Sequence, residues 1–262
     1  MSLNYQDQSQ ANALVAQRFE IKYKLPETIA QGIIDYISPH MKADPQGLEY
    51  PVTSLYLDSP SMHMFWSSHM GEKNRYKLRL RSYSGDASPI IYAEVKQRIN
   101  RVIRKSRVAV HNDSIEDLLS AYRDSASMLI KENDYTLNDL NYFRSLMGEF
   151  QARPSTIVRY IREAYVGRMG ESVRITFDRN LGGLPSTKYT HDLWSAQAFW
   201  HELNHIPVIM EVKFTDTYPQ WVHSMIQRFN LEYTSMAKYV ECVKLLHHEG
   251  LQVVPRLKGA QL

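Results

Sequence analysis

The sequence predicts an α+β fold centred on antiparallel β-structure that encloses a polar, basic space. Three observations carry this. Segment after segment alternates apolar with charged residues at a period of two, the repeat of a strand with two unlike faces. Three such segments follow one another with only short turn sequences between them, the pattern of an antiparallel meander. Finally, eleven Lys and Arg residues lie between Lys73 and Arg107, against only two acidic ones, Asp86 and Glu94. In Arg75-Tyr-Lys77-Leu-Arg79-Leu-Arg81 every second position is cationic. Such a row repels itself and is tolerated where the face is wet or holds a polyanion.

The elements follow in order. Residues 1–17 form a polar arm. A strand spans Arg18–Leu25, with Phe19, Ile21 and Tyr23 on one face and Glu20, Lys22 and Lys24 on the other. Pro26 opens a helix that runs to about His40. Val52–Leu57 is a strand ending at Asp58-Ser-Pro60, and Met62–Met70 is a short Met/aromatic segment. Strands at Arg75–Tyr83, Pro89–Gln97 and Arg101–Val110 make the meander, with turns at Gly85-Asp86 and Asn100. Residues 114–150 read as helical from the spacing of Ile115, Leu118, Leu119 and Tyr122. Strands at Thr156–Val166 and Val173–Asn180 are joined by Gly167-Arg-Met-Gly170. Residues 192–204 read as a helix, Val208–Thr215 as a strand, and Tyr218–Phe229 and Met236–His248 as helices. That makes a single domain over 18–248 with about eight strands, followed by a tail over 249–262.

The strand faces point to function. Glu94 shares a face with Lys96, Arg174 with Asp178, and Glu211 with Lys213, while the alternating residues are apolar. If the charged faces converge they line a channel inside a β-barrel whose apolar surface lies outside, under the helices. Trp194, Trp200 and Trp221 are then part of the outer cover, and Cys242 a small buried hydrophobe. Enclosing many cations is costly without counter-charge, and a phosphate chain with a divalent metal supplies it.

Composition narrows the field. The formal net charge of the 262 residues is only +3, so the basic stretch is local, which suits a site better than a coat for nucleic acid. The single cysteine cannot form an intrachain disulfide, and no Cys/His zinc module is present. No signal peptide or membrane span is read, so the expected location is cytoplasmic, with docking to a membrane-protein partner left open. One competing motif stands out: His201-Glu-Leu-Asn-His205 matches the H-E-x-x-H of zinc proteases. Pro207 follows at once, so a helix there has no continuation, and the plainer reading is a helix end with two partly exposed histidines.

Taken in order, the motifs resemble the polyphosphate polymerase domain of the vacuolar transporter chaperone (VTC) family, within the triphosphate tunnel metalloenzymes. They are Arg18-Phe-Glu-Ile-Lys22-Tyr-Lys24, Thr53-Ser-Leu-Tyr56-Leu-Asp58, Arg79-Leu-Arg81-Ser-Tyr83, Glu94-Val-Lys96 and Arg104-Lys105-Ser106. Later come Tyr160-Ile-Arg162-Glu-Ala-Tyr165, Val173-Arg174-Ile-Thr-Phe-Asp178, Glu211-Val-Lys213 and Ser235-Met-Ala-Lys238-Tyr239. The resemblance spans about Arg18 to Leu246. It implies an eight-stranded antiparallel tunnel in which the terminal phosphoryl group of ATP passes to a growing polyphosphate chain, with pyrophosphate as a possible primer. By motif, Lys22, Arg79, Arg81, Lys96, Arg162 and Arg174 are the implied catalytic cations. Lys105, Ser235, Lys238, Glu94 and Lys213 are the implied substrate-binding residues, and Glu211 the ligand of Mn²⁺ or Mg²⁺. Arg gives forked donors to phosphate, Lys a point charge, and a hard cation needs carboxylate oxygen.

Two departures matter. Adenylate cyclase and thiamine triphosphatase relatives carry Glu-x-Glu-x-Lys on the first strand, whereas this chain reads Glu20-Ile-Lys22-Tyr-Lys24, which shifts the site from two-metal hydrolysis toward chain binding. The phosphate-sensing domain and membrane spans of eukaryotic relatives are not found in these residues. The alternatives are a triphosphatase in the same tunnel, or a non-catalytic module that binds polyphosphate or another polyanion.

Overall fold

The computed structural model describes residues 18–84, 90–100, 102–120, 125–168, 172–190, 194, 200–257 and 259. The arm over 1–17, the turn expected at Gly85-Asp86 and the end of the Gly167–Gly170 turn lie outside the described residues.

Among the described residues ten strands form one antiparallel sheet. They are β1 (Arg18–Leu25), β2 (Met41–Ala43), β3 (Glu49–Asp58), β4 (Arg75–Ser82), β5 (Ile91–Ile99), β6 (Val102–Val110), β7 (Arg153–Gly167), β8 (Arg174–Pro185), β9 (His201–Glu202) and β10 (Val208–Thr215). Eight make the main path in the order β1-β10-β8-β7-β3-β4-β5-β6, while β2 adds to β7 and β9 to β8. The helices are α1 (Glu27–Ile37), α2 (His63–His69), α3 (Ile115–Ser120), α4 (Asp134–Glu149), α5 (Gln220–Arg228) and α6 (Lys238–His248).

The sheet curls until its ends face each other. Lys96 on β5 comes within 3.9 Å of Glu20 on β1, although five strands separate them along the hydrogen-bonded path. Local irregularities help to bend it. The pairing of β7 with β8 shifts register between Arg159 and Ile161, beside Asn180 at φ 51°, and β3 shifts against β7 between Tyr56 and Leu57. Extra residues of this kind bend a strand and increase its twist. The β5–β6 hairpin turns at Asn100, whose φ of 54° lies in the left-handed region that Asn tolerates.

The expected inside-out arrangement is present, with apolar clusters outside the curl and under helices. Ile33 and Ile37 of α1 and Met225 of α5 pack on Tyr23, Phe177 and Met210. Leu140 and Phe143 of α4 pack on Leu78, Leu80, Val95 and Val108. Val240 and Val243 of α6 meet Phe65 and Trp66 of α2 and Val158 of β7, and Cys242 is buried with them. Trp194 is buried in the α4 cluster, Trp200 packs against it, and Trp221 packs against the α1 cluster.

Two helical expectations need correction. Residues 114–150 are not one helix: α3 ends at Ser120, a 3₁₀ turn covers Ala126–Met128, and α4 starts only at Asp134. Asn133 and Thr136 form a reciprocal capping box that satisfies the first amides of α4 and fixes a new start there. The stretch over 192–204 lies partly outside the described residues, but His201 and Glu202 are extended and pair with Gly183 and Gly182 of β8. The H-E-x-x-H pattern is therefore not on a helix. His201 Nδ1 instead lies 2.6 Å from a Glu249 carboxylate oxygen, so the zinc-protease reading falls.

Candidate functional site

The period-two rows converge on one cavity of about 540 Å³. Every strand of the main path contributes to its wall: Glu20 and Lys22 from β1, Tyr56 from β3, Lys77, Arg79 and Arg81 from β4, Glu94 and Lys96 from β5. Lys105 and Arg107 come from β6, Tyr160 and Arg162 from β7, Arg174 from β8, Glu211 and Lys213 from β10, and α6 adds Lys238 and Tyr239. Asp44 enters from the segment after β2. Eleven Lys and Arg side chains thus face four carboxylates.

Of the site residues expected from sequence, the fold gathers Lys22, Arg79, Arg81, Lys96, Arg162, Arg174, Lys105, Lys238, Glu94, Lys213 and Glu211. Ser235 is the exception: it is exposed and absent from the wall, in the irregular segment that precedes α6. Lys24 is likewise exposed and outside the cavity.

The carboxylates organise the cations into groups. On one side Glu94 receives Arg79, with Nε at 2.7 Å, and lies 3.9 Å from Arg81 and 3.5 Å from Arg107. Arg79 also donates to Tyr56 Oη at 3.0 Å and Arg81 to Ser54 Oγ at 2.8 Å, while Arg107 lies 3.7 Å over the Tyr92 ring. Burial pushes the Glu94 carboxyl up, but Arg79, Arg81 and Arg107 outweigh it and hold the group at about 2.

Across the cavity a cluster joins five charges. Asp178 takes a bidentate fork from Arg162 at 2.7 and 2.8 Å and the Lys238 ammonium at 2.7 Å. Lys238 also donates to Glu211 at 2.8 Å, and Glu211 lies 2.9 Å from Lys213 and 3.7 Å from Arg162. Burial raises the Glu211 carboxyl, yet Lys213, Lys238 and Arg162 hold it well below the usual carboxylate range. Burial lowers Lys238, and Asp178 with Glu211 more than reverses that. Arg174 is held by Asp44 at 2.7 Å and by Tyr50 Oη at 3.0 Å.

Between these groups lies a row with little counter-charge. Lys77 pairs in register with Lys96, and Lys96 with Lys105. Burial, then the charges of Lys96, Arg75, Arg79 and Lys22, drives Lys77 down to about 7. Lys77 keeps some wet surface but is enclosed by protein on most sides, so desolvation dominates. Burial lowers Lys96 to about 8 despite the partial relief from Glu20. Glu20 is itself raised by burial and by Glu211, but Lys96, Lys213 and Lys22 bring it down to about 2.

Sequence reasoning assigned no site role to Lys77, Arg107, Asp44 or Asp178. For Lys77 and Arg107 the signal was there, since each sits two residues from an assigned cation on the same strand face. Asp178 lay within a recognised motif, and its meaning comes from standing opposite Arg162 in the β7–β8 register. Asp44 had no local signal, because its partner Arg174 is 130 residues away.

A family model described as VTC domain matches residues 17–247. The chain belongs to the VTC domain family. The match covers the span over which the ordered motifs carried the resemblance. No curated protein matches this VTC domain. Among solved structures it is similar to a Hippeastrum protein for which a dominant triphosphatase activity is recorded, at 15% identity and a TM-score of 0.49, covering 91% of this chain and 98% of that one. It is also similar to the PH1819 protein of Pyrococcus horikoshii OT3, at 12% identity and a TM-score of 0.45, covering 89% and 99%. Likenesses at this level assign no residue a role.

Among the described residues no three His, Cys, Asp or Glu side chains come together as a metal cage. The wall of the VTC domain offers instead two carboxylates around one ammonium, with Lys213 Nζ 2.9 Å from Glu211 and 3.9 Å from Glu20. Both are held in the anionic form. An oxygen-only pair fits a hard divalent cation that completes its shell with phosphate oxygens and water.

Proposed function

We propose that this VTC domain is a metal-dependent polyphosphate polymerase that moves the terminal phosphoryl group of ATP onto a growing polyphosphate chain. The observation that carries the reading is the charge of the cavity wall: eleven cations against four carboxylates, drawn from seven of the eight main strands, from α6 and from the segment after β2. Only a polyanion balances such a lining. In the reaction a terminal phosphate oxygen of the chain attacks the γ-phosphorus, the bond from that phosphorus to the β–γ bridging oxygen breaks, and ADP leaves. The acceptor is already anionic, so the step needs positioning and charge neutralisation rather than a protein nucleophile or strong base. Arg79, Arg81 and Arg162 have their guanidinium groups fixed by Glu94, Ser54 and Asp178, so little reorganisation is required as charge moves. Lys22, Lys96, Lys105, Arg174, Lys213 and Lys238 hold the remaining phosphates. Glu211, with Glu20, would hold Mn²⁺ or Mg²⁺, which when bound neutralises phosphate oxygens.

Pyrophosphate is the simplest primer. Among the described residues no helix is long and apolar enough to cross a membrane. We assign the activity to the cytoplasm, where ATP is supplied; delivery of product across a membrane would need a separate membrane-protein partner.

The anionic pair of Glu20 and Glu211 supports a second reading, since two carboxylates can also orient a water for hydrolysis of triphosphate. Incubation with ATP and Mn²⁺ or Mg²⁺, followed by separation of products by length, decides between them. The expected result is a ladder of long chains that falls roughly a hundredfold in Arg79→Ala/Arg81→Ala. Orthophosphate alone would establish the triphosphatase, and full activity in the double variant would overturn both readings.

A further inference from the structure

Residues of β4, β5 and β6 pair across the strands in rows, and the charge balance changes from row to row. Arg79, Glu94 and Arg107 form a row with its own carboxylate. The next row, Lys77, Lys96 and Lys105, has none on these strands and relies on Glu20 from β1, 3.9 Å from Lys96. One pleat further out on the same faces, Arg75 stands directly opposite Arg98, whose other neighbour is Ile103. These two arginines lie beyond the cavity wall, where the β5–β6 hairpin ends.

Like charges directly opposite each other on a sheet are destabilising. Only Glu72 nearby relieves this pair, and only in part. Among the described residues neither arginine forms an ion pair. Arg75 Nη1 donates to the Glu72 carbonyl, and Arg98 Nε donates to the Asn100 carbonyl at 2.9 Å. Desolvation and the charge of Arg98 both lower the Arg75 pKa, with Glu72 opposing only in part. The hairpin tip is held in place, because the Asn100 amide donates to Asn74 Oδ1 at 3.0 Å. A fixed pair of forked donors, uncompensated and in line with the lysine row, suits phosphate oxygens.

We infer that Arg75 and Arg98 form an outer phosphate-binding step at the rim of the tunnel, which holds polyphosphate chains too long for the cavity. This rests on the polyphosphate reading above. The row that contains Glu94 is partly neutralised by it, while the outer rows carry no carboxylate on these strands, so unmet positive charge extends to this rim and a growing chain leaves past it.

Chain length separates the rim from the cavity. Affinity for tripolyphosphate and for a long inorganic polyphosphate fraction would be measured for the full chain, for Arg75→Gln/Arg98→Gln, and for Arg75→Lys/Arg98→Lys. The glutamine pair is expected to bind the long fraction roughly tenfold more weakly at low salt, with tripolyphosphate unchanged, and the lysine pair to recover most of the loss. Long-chain affinity that is unaltered in the glutamine pair, or an equal loss for both ligands, would overturn the outer step while leaving the tunnel reading intact. Failure of the unsubstituted chain to bind either ligand would overturn both.

Discussion

The Lys238 ammonium lies 2.8 Å from Glu211 Oε1, reaching into the tunnel from the first residue of α6. A cation at a helix N-terminus opposes the helix dipole at a cost of about 0.3–1 kcal/mol. The compensation is the pair of buried carboxylates, since Asp178 Oδ2 lies 2.7 Å away on the other side. Removing one partner of a buried ion group costs about 3–5 kcal/mol, which decides the balance.

Lys238→Met keeps the length of the side chain and removes the charge, leaving Glu211 and Asp178 to Arg162 and Lys213. It is expected to lower stability by about 3 kcal/mol in urea denaturation at neutral pH, with Lys238→Arg losing less. A change below about 1 kcal/mol would mean that the cluster does not hold α6 against the sheet.

The lysine row gives a pH dependence of opposite sign for stability and for binding. Lys77 at about 7 and Lys96 at about 8 lie below the ordinary 10.5, so the free fold disfavours their protonated forms. The unfolded chain then binds more protons between about pH 7 and pH 10.5, and the stability of the free protein rises with pH across that window on their account. A bound polyanion reverses the preference. Tripolyphosphate binding at pH 8 is therefore expected to take up protons, and affinity to fall as pH rises through 7 to 9. Calorimetry in buffers of different ionisation enthalpy measures the uptake. Lys77→Met should reduce it while stabilising the free protein, and no proton uptake at pH 8 would refute the assignment.

Much of this site was legible from period-two alternation alone, because a strand presents one face to one environment. The Val208–Thr215 strand is found as read, and the cations of Arg75–Arg81 do point inward from Lys77 onward. What failed was whatever depended on distant partners. Helical spacing at Ile115, Leu118 and Leu119 could not reveal that Leu129 bridges back to Val110 and breaks the run. His201 and Glu202 follow β8, a pairing that no window around them contains. Asp178 acquires its role from facing Arg162 across a bulged strand pair, and the bulge has no sequence mark beyond Asn180. Charge type is local information, whereas neutralisation is a property of the register.

Glu94 makes the basic side of the cavity acid-sensitive. Its carboxyl is held at about 2 against an ordinary 4.5, so it contributes stability that is fully present above pH 4.5 and is lost as pH falls toward 2. Glu94→Gln should be less stable than the unsubstituted protein at pH 6, and the gap should narrow as pH falls through that window. Thermal midpoints at half-unit pH steps test this. A gap that stays constant with pH would assign the loss to packing instead of charge.

Thr176 points to the same conclusion from the uncharged side. It shares the inward face of β8 with Arg174 and Asp178, stands opposite Glu211 in register, and is fully buried. Among the described residues its Oγ1 has no hydrogen-bond partner, although Glu211 next to it is engaged by Lys238 and Lys213. A buried hydroxyl left unpaired costs about 1–3 kcal/mol, and valine keeps the β-branched shape without that cost. Thr176→Val is accordingly expected to stabilise the free protein by about 1 kcal/mol in urea denaturation. Because the hydroxyl adjoins Glu211, the same variant discriminates a structural accident from a site feature. If Thr176→Val is stabilised and also keeps full affinity for Mn²⁺ and tripolyphosphate, the hydroxyl is a tolerated defect of the tunnel wall. If the gain in stability comes with weaker Mn²⁺ binding, Thr176 belongs to the surroundings that orient Glu211.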